Sequence, residues 1–247
     1  MKESDEIDPE MRERIFGIRN QLVELCGLFE GSFVVIGGWA IHAHNPRELT
    51  LDGDAMVSLE TDGTLRDMFE VTPNPRMKKK QFVGKDGFDF DIYVEQQHGL
   101  RVPYSRLSAL AEKKDGLTVA CPEHLLVLKL DAARDRKGSG KGEKDKQDVL
   151  SLLALGTPSF KHAGELAAYL TDDDWHDLKS IVSDVNSTEQ YLGGNAWSAK
   201  TFRATLSSTF GALKKAADTT GDLPSGSSPD PNPGLAKKAR SLGERDI

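Results

Sequence analysis

Apolar residues recur at helical spacing near the start of the chain and again through its second half. Near the start, apolar residues stand three or four positions apart at Met11, Ile15, Ile18, Leu22, Leu25 and Phe29. This spacing predicts a helix over residues 9–29. A second helix is predicted from Pro122, because proline suits the first helical position and an apolar face follows it. Three more helices are predicted at 161–170, 172–185 and 198–217.

Between the first two helices, the pattern changes to that of short strands. The apolar run FVVI at Phe33–Ile36 ends on Gly37 and Gly38, which predicts a buried strand, a sharp turn and a short helix. A second strand is predicted to follow, with Asp52 and Asp54 at alternate positions. Side chains two apart on a strand project from one face, so these carboxylates should lie roughly 6–7 Å apart along the chain.

A β-hairpin is predicted further along, where residues 81–83 and 88–94 flank a Gly-Lys-Asp-Gly turn. In its second strand the apolar side chains share one face, and the other face carries Asp89, Asp91, Tyr93 and Glu95. A third carboxylate is therefore available on a strand that could lie beside the first pair. Taken alone, these acids would simply keep one face of the hairpin soluble.

Together these features predict a site that binds phosphate and a divalent cation. Backbone N–H groups at a glycine turn that opens a helix can bind a phosphate. Two carboxylates on one strand face suit Mg²⁺ when substrate phosphates and waters complete its shell. An EF-hand calcium loop is excluded at Asp52, because its glycine would have to fall at Val57.

The motif Gly37-Gly38 followed by Thr50-Leu51-Asp52-Gly53-Asp54 resembles the glycine turn and Asp-x-Asp of the nucleotidyltransferase superfamily. Its minimal, AbiEii-toxin-like members are the nearest in pattern, and the resemblance covers about the first 150 residues. Two positions depart from the pattern, because Glu48 replaces an arginine and Gly53 replaces a bulky aliphatic residue.

The resemblance implies a Mg²⁺-dependent transfer of a nucleoside monophosphate from an NTP to an acceptor hydroxyl. Two Mg²⁺ ions are expected, with Mn²⁺ as the alternative metal. The implied metal ligands and catalytic groups are Asp52, Asp54 and Asp91, with Asp89 as the alternative to Asp91. The implied nucleotide and phosphate contacts are Gly37, Gly38, Thr50, Lys129 and Arg134. Asp145 and Asp148 lie three apart on one helix face, and one of them is expected to hold Lys129 or Arg134 in position, without binding the metal.

The acceptor is predicted less sharply. Some AbiEii-like relatives modify transfer RNA 3′ ends as toxins, which implies an antitoxin protein, and other relatives modify antibiotics or proteins. An RNA-facing rim is predicted from the basic residues Lys78, Lys79, Lys80, Lys137, Lys141 and Lys144. Residues 137–144 are predicted to be a flexible Gly/Lys-rich loop, without the order of a P-loop. From another class of protein, a catalytically inactive nucleotidyltransferase-fold binding module remains the alternative, favoured by Glu48 and Gly53.

Composition limits these alternatives. The 247 residues are 38% apolar and carry a formal net charge of −7, which argues against broad non-specific binding of nucleic acid. The charged N-terminus and the lack of a long apolar run predict a cytoplasmic protein without a membrane span. Cys26 and Cys121 have no metal-type spacing and should be buried free thiols.

The expected fold is α/β, a small mixed sheet with flanking helices and a helical C-terminal part. Predicted units are a catalytic core at 1–121, a helical domain at 122–220 and a flexible tail at 221–247. Residues 171–174, Thr-Asp-Asp-Asp, should cap a helix. Packing between helices, without a role in base stacking, is expected for the aromatic residues Trp175, Tyr191, Trp197, Phe202 and Phe210.

Overall fold

A computed structural model describes residues 8–46, 50–74, 79–83, 89–184 and 199–221. Within these ranges the protein has an α/β fold, with one mixed seven-stranded sheet followed by a helical C-terminal part. The strands are β1 (Phe33–Ile36), β2 (Gly53–Val57), β3 (Glu70–Asn74), β4 (Lys79–Val83), β5 (Asp89–Val94), β6 (Glu112–Lys114) and β7 (Leu117–Val119). The helices are α1 (Pro9–Leu28), α2 (Gly37–His44), α3 (Leu59–Met68), α4 (Tyr104–Ala109), α5 (Pro122–Asp135), α6 (Gly140–Leu153), α7 (Leu166–Tyr169), α8 (Asp172–Ser183) and α9 (Ala199–Gly221).

The sheet has the strand order β3-β4-β5-β2-β1-β7-β6. Two neighbouring pairs are parallel, β1 with β7 and β2 with β5, and the others are antiparallel. All four residues of β1 are buried, as expected for a strand with neighbours on both sides and helices above and below. The class and the mixed sheet are those predicted from the sequence.

Helix α1 confirms the first predicted helix and covers one face of the sheet. The Asp8 carboxylate accepts a hydrogen bond from the Glu10 N–H at 3.3 Å, and Pro9 occupies the first helical position. The apolar face of the helix is buried, and the Cγ2 atom of Ile18 lies 3.6 Å from the position of a Cβ atom at Gly53. Because side chains alternate along a strand, Asp54 projects from the opposite face.

The predicted hairpin is also confirmed, as β4 and β5 pair antiparallel. Phe90, Ile92 and Val94 are buried, whereas Asp91 and Tyr93 on the other face are only partly so. Its turn and Phe88 lie outside the described residues.

Several short elements were not predicted. Helix α3 contains only three large apolar residues in ten, too few for a clear period, and it begins where the Ser58 hydroxyl accepts the Thr61 N–H at 3.1 Å. Strand β3, helix α4 and the hairpin of β6 and β7 are three to six residues long. Such short stretches do not establish a hydrophobic period of their own.

Two predictions for the second half of the chain were wrong. The predicted loop at 137–144 is helical from Gly140, where the Ser139 hydroxyl accepts the Gly142 N–H at 3.1 Å. A Cβ atom on Gly142 would overlap the carbonyl oxygen of Arg136, so glycine here allows α6 to fold closely onto the end of α5. The predicted helix at 161–170 is a 3₁₀ turn, Ala163–Glu165, followed by the short α7.

The rest of the helical part agrees with the sequence. Helix α5 begins at Pro122 as predicted, and a capping box between Thr171 and Asp174 starts α8. The rings of Trp175 and Phe210 meet edge to face at 6.0 Å between α8 and α9. Phe202 is buried on α9, while Tyr191 and Trp197 lie outside the described ranges.

Both cysteines, Cys26 and Cys121, are buried free thiols, as predicted. In the part of the chain that the structure describes, no helix is long and apolar enough to cross a membrane. The predicted tail lies beyond residue 221, outside the described ranges, and the predicted unit boundaries remain predictions.

Candidate active site

Asp54 and Asp91 lie directly opposite each other on the neighbouring parallel strands β2 and β5. Both are partly buried, on the sheet face opposite α1. Neighbouring strands are about 4.8 Å apart, so the two carboxylates occupy one small region. Asp89 is different, because it is exposed and its Oδ2 atom accepts a hydrogen bond from Gln81 at 2.8 Å. The structure therefore places Asp91, and not Asp89, beside Asp54.

Asp52 lies outside the strand that was predicted to carry it. Strand β2 begins at Gly53, and Asp52 is exposed one residue earlier. Its backbone N–H donates to the Thr50 hydroxyl at 3.2 Å, so the buried Thr50 side chain fixes this segment. Among the residues that the structure describes, no three or more His, Cys, Asp or Glu side chains are arranged as metal ligands.

The Gly37-Gly38 turn lies directly against these residues. Gly37 has a φ of +65°, and a Cβ atom there would lie 3.0 Å from the Asp54 Cβ and closer still to the carboxylate. A Cβ on Gly38 would lie 2.7 Å from the Thr50 methyl group. The turn therefore brings the N-terminus of α2 against Asp54, where backbone N–H groups can meet an anion.

Gly53, the departure from the family pattern between the two aspartates, has a packing explanation. It stands opposite Phe90 in the register of β2 and β5. A Cβ atom on Gly53 would lie 2.6 Å from the Phe90 ring, so the aromatic side chain fills the space of the missing aliphatic one.

Replacing Gly37 with alanine should lower the free energy of unfolding by about 2–4 kcal/mol, because positive φ and the overlap with Asp54 both oppose a side chain. Gly27→Ala is the matched control, since Gly27 lies in the last turn of α1 and nothing lies within 4 Å of its Cβ position. That change should not destabilise the protein and should stabilise it by no more than about 1 kcal/mol. Urea unfolding of both variants tests the expectation, and wild-type stability of Gly37→Ala would contradict the geometry described.

Lys129 connects the helices to this face of the sheet. Its Nζ lies 2.7 Å from Asp148 Oδ2 and 3.2 Å from Asp145 Oδ1. Burial lowers the pKa of the Lys129 ammonium, but Asp148, Asp145 and Asp54 together outweigh burial and keep the pKa above its ordinary value. Lys129 is therefore a fixed positive charge within the field of Asp54.

Two further residues belong to this cluster and were not predicted as site residues. Arg136 Nη1 lies 3.0 Å from Asp145 Oδ2, so one carboxylate binds both Arg136 and Lys129. Burial, Asp54 and Asp91 raise the pKa of the Tyr93 phenol, whereas Arg136 lowers it. The phenol thus lies in the field of the acidic pair and of Arg136. The alternation of side chains along β5 places Tyr93 on the same face as Asp91, and this pattern in the sequence could have identified Tyr93 as a site residue.

Arg134, predicted to bind phosphate, is held elsewhere. Its Nη2 lies 2.7 Å from Asp174 Oδ1 and 2.6 Å from Asp177 Oδ2, and its Nε donates to the same Asp177 oxygen at 3.0 Å. Both acceptors belong to α8. The structure therefore groups Lys129 with Asp145 and Asp148, and Arg134 with a separate pair of carboxylates.

The oxygen donors of the cluster fit a divalent cation. The cluster combines four carboxylates with two cationic side chains, and its members are Asp54, Asp91, Lys129, Arg136, Asp145 and Asp148. Asp145 and Asp148 are bound to the cations, whereas Asp54 and Asp91 are the two oxygen donors paired across the strands. Carboxylate oxygens in such a pair are the donors that Mg²⁺ and Mn²⁺ take in proteins.

Comparison with known proteins gives only distant similarities. No family model and no curated protein matches the sequence. An antigenic nucleotidyltransferase-like protein from Paracoccidioides brasiliensis superposes with a TM-score of 0.48 and 16% identity, covering 75% of this chain and 96% of that protein. JHP933 from Helicobacter pylori gives a TM-score of 0.45 and 14% identity, covering 96% of this chain and 97% of that one. Because both TM-scores are below 0.5, the activity has to be inferred from the residues of the site.

Proposed function

We propose that this protein is a nucleotidyltransferase, which moves a nucleoside monophosphate from an NTP to an acceptor hydroxyl and releases pyrophosphate. The observation that carries the proposal is the in-register pairing of Asp54 with Asp91, with the Gly37-Gly38 turn packed against Asp54. A phosphate-binding turn, an acidic pair and a fixed lysine are the groups that transfer from a nucleoside triphosphate requires.

The acidic pair would hold the metal. Asp54 and Asp91 would bind Mg²⁺, with Mn²⁺ as an alternative, and the exposed Asp52 is the proposed third ligand of a two-ion site. When bound, the ions lower the pKa of the acceptor hydroxyl and neutralise charge on the departing pyrophosphate. Asp54 and the glycine turn are in van der Waals proximity, so this turn would bring triphosphate oxygens close to the metal ligands.

The bond changes in this proposal are assigned to named groups. Asp91 would accept the proton of the acceptor hydroxyl, whose oxygen forms a bond to the α-phosphorus. The bond from that phosphorus to the bridging oxygen breaks, and pyrophosphate leaves with the electron pair. The N–H groups of Gly37 and Gly38 would bind triphosphate oxygens, and Lys129 would add a positive charge.

Asp145 and Asp148 would act through Lys129 and not on the substrate. Both contact its ammonium, and Asp145 is almost fully buried. Holding the long lysine side chain before the nucleotide arrives reduces the conformational entropy lost on binding.

RNA is the acceptor that the surface charges favour, with a transfer RNA 3′ end as the specific proposal. Lys137, Lys141 and Lys144 are exposed near the start of α6, next to Arg136. Lys146 is bound to Glu143 at 2.7 Å, and no such ion pair is seen for the other three within the described residues. Lysines of this kind can contact the phosphates of a strand. A toxin of this type would be controlled by an antitoxin protein.

Incubation of the purified protein with each α-labelled NTP, Mg²⁺ and total RNA tests the proposal. Wild type should transfer label to RNA, and Asp54→Asn should not. If label enters an added antibiotic or a protein instead, the proposed transfer activity stands and the proposed RNA acceptor is wrong. Mg²⁺-dependent NTP binding without transfer to any acceptor would favour the inactive binding module, and absence of NTP binding would contradict the proposal.

A further inference from the structure

We infer that Arg136, and not Arg134, is the arginine that binds the β- and γ-phosphates of the NTP, which leave as pyrophosphate. This inference rests on the proposed function, because it assigns a residue to the phosphate end of that site. The two arginines lie two positions apart at the end of α5, and the structure gives them different surroundings.

Arg134 is already bound to two carboxylates of α8. Its Nε and Nη2 atoms both donate to Asp177, and Nη2 also lies 2.7 Å from the buried Asp174. Two hydrogen bonds from one edge of a guanidinium to a carboxylate form a stable arrangement that a phosphate would have to displace. Hydrogen bonding and charge from Asp177 and Asp174 raise the pKa of the Arg134 guanidinium despite some burial. Its contacts therefore join α5 to α8.

Arg136 remains available to a ligand. Its side chain is 40% exposed, and within the described part of the chain its guanidinium makes one ion pair, from Nη1 to Asp145. Nη2 and Nε are left for another acceptor. A guanidinium with one edge anchored and the other open suits the planar, bidentate binding of a phosphate.

The ion pair with Asp145 places Arg136 in the candidate site. Asp145 is 3% exposed, and its two oxygens are divided between Lys129 and Arg136. Lys129 lies in the field of Asp54, and Arg136 lies in the field of the Tyr93 phenol on the strand of Asp91. One buried carboxylate thus holds two cations, and this arrangement suits two adjacent phosphate groups.

The turn between α5 and α6 supports this placement. Gly142 packs against the Arg136 carbonyl so closely that no side chain would fit. Ser139 also donates its hydroxyl to that carbonyl at 2.7 Å. The backbone of Arg136 is therefore fixed from two sides, at the residue whose side chain binds Asp145.

Arg136→Gln and Arg134→Gln form the test, with pyrophosphate and a non-hydrolysable NTP as probes in calorimetry. We expect Arg136→Gln to weaken binding of both probes by about tenfold to a hundredfold, as loss of a charged hydrogen bond to phosphate does, while Lys129 still pairs with Asp145 and the variant stays folded. Arg134→Gln should lower the melting temperature and leave both affinities unchanged. Arg136→Lys should recover only part of the affinity, because lysine restores the positive charge but not the planar pair of N–H donors.

Two outcomes would overturn the inference. Wild-type affinity for both probes in Arg136→Gln, or loss of affinity confined to Arg134→Gln, would assign the phosphates to other residues while leaving the proposed function intact. If the wild-type protein binds neither probe, the proposed function fails together with this inference.

Discussion

Replacing Asp91 with asparagine is expected to lower the rate of nucleotidyl transfer by about a thousandfold or more. The amide cannot accept the proton of the acceptor hydroxyl, and it is a poor ligand for Mg²⁺ compared with a carboxylate. Asp89→Asn is the matched control, because it makes the same change two residues away on the same strand face. Since Asp89 is exposed and bound to Gln81, its replacement should change the rate by no more than about threefold.

Single-turnover transfer of α-labelled NTP measures both rates, and urea unfolding shows whether each variant remains folded. Equal losses in the two variants would mean that the acidic face acts through its total charge. A larger loss of rate for Asp89→Asn would assign the metal and the proton transfer to Asp89, contrary to the register that pairs Asp54 with Asp91.

Removing the Asp174 carboxylate should lower the free energy of unfolding by about 3–5 kcal/mol, the usual effect of breaking a buried ion pair by deleting one member. Its side chain has no exposed surface and lies within 2.7 Å of both Arg101 and Arg134. It also accepts the N–H and the hydroxyl of Thr171 in the capping box of α8. Asp174→Ala would leave the nearby guanidinium groups with less compensation and would remove the cap.

Asp173→Ala is the natural comparison, since it deletes an exposed carboxylate from the same helical turn. Its effect should be about 0.5 kcal/mol, that of one exposed charge at a helix N-terminus. Urea unfolding at pH 7 measures both values. Similar stabilities for the two variants would show that neither the ion pairs nor the capping box of Asp174 contributes more than one exposed charge at a helix N-terminus.

The effect of Asp174 should also depend on pH. Burial alone raises the pKa of the Asp174 carboxyl, but hydrogen bonds from Thr171 and the contact with Arg101 outweigh it, so the pKa lies below its ordinary value. Between the folded and unfolded pKa values, this carboxyl therefore binds more protons in the unfolded state than in the folded state. The stabilisation is complete above about pH 4, near the pKa of an unfolded aspartate, and is lost as the pH falls through the folded value. The difference between wild type and Asp174→Ala should therefore shrink below pH 4.

Local patterns in the sequence predicted the sheet side of the site. The apolar run before Gly37 and Gly38 predicts a strand and turn, and the alternation in 89–94 places Asp91 and Tyr93 on one face. Which of Asp89 and Asp91 stands beside Asp54 depends on the register between β2 and β5. That register is fixed by packing, with Phe90 filling the space over Gly53.

The helix side was harder to predict, because it depends on how helices approach each other. Residues 134 and 136 are about 200° apart around a helix, so they face different neighbours, and the sequence does not say which neighbour lies where. Residues 137–144 have the composition of a loop, yet Gly142 is there to permit close contact between α5 and α6. Composition alone does not distinguish a flexible glycine from one required by a close approach.

The site is assembled from segments made at different times during synthesis. Asp54 and Asp91 leave the ribosome well before Lys129, Arg136 and Asp145, and β1 gains its parallel neighbour only when β7 (Leu117–Val119) has been made. A nascent chain, or one cut before residue 122, carries the acidic pair without the cations that complete the cluster. On the proposed function, the site is therefore incomplete during translation until α6 has emerged.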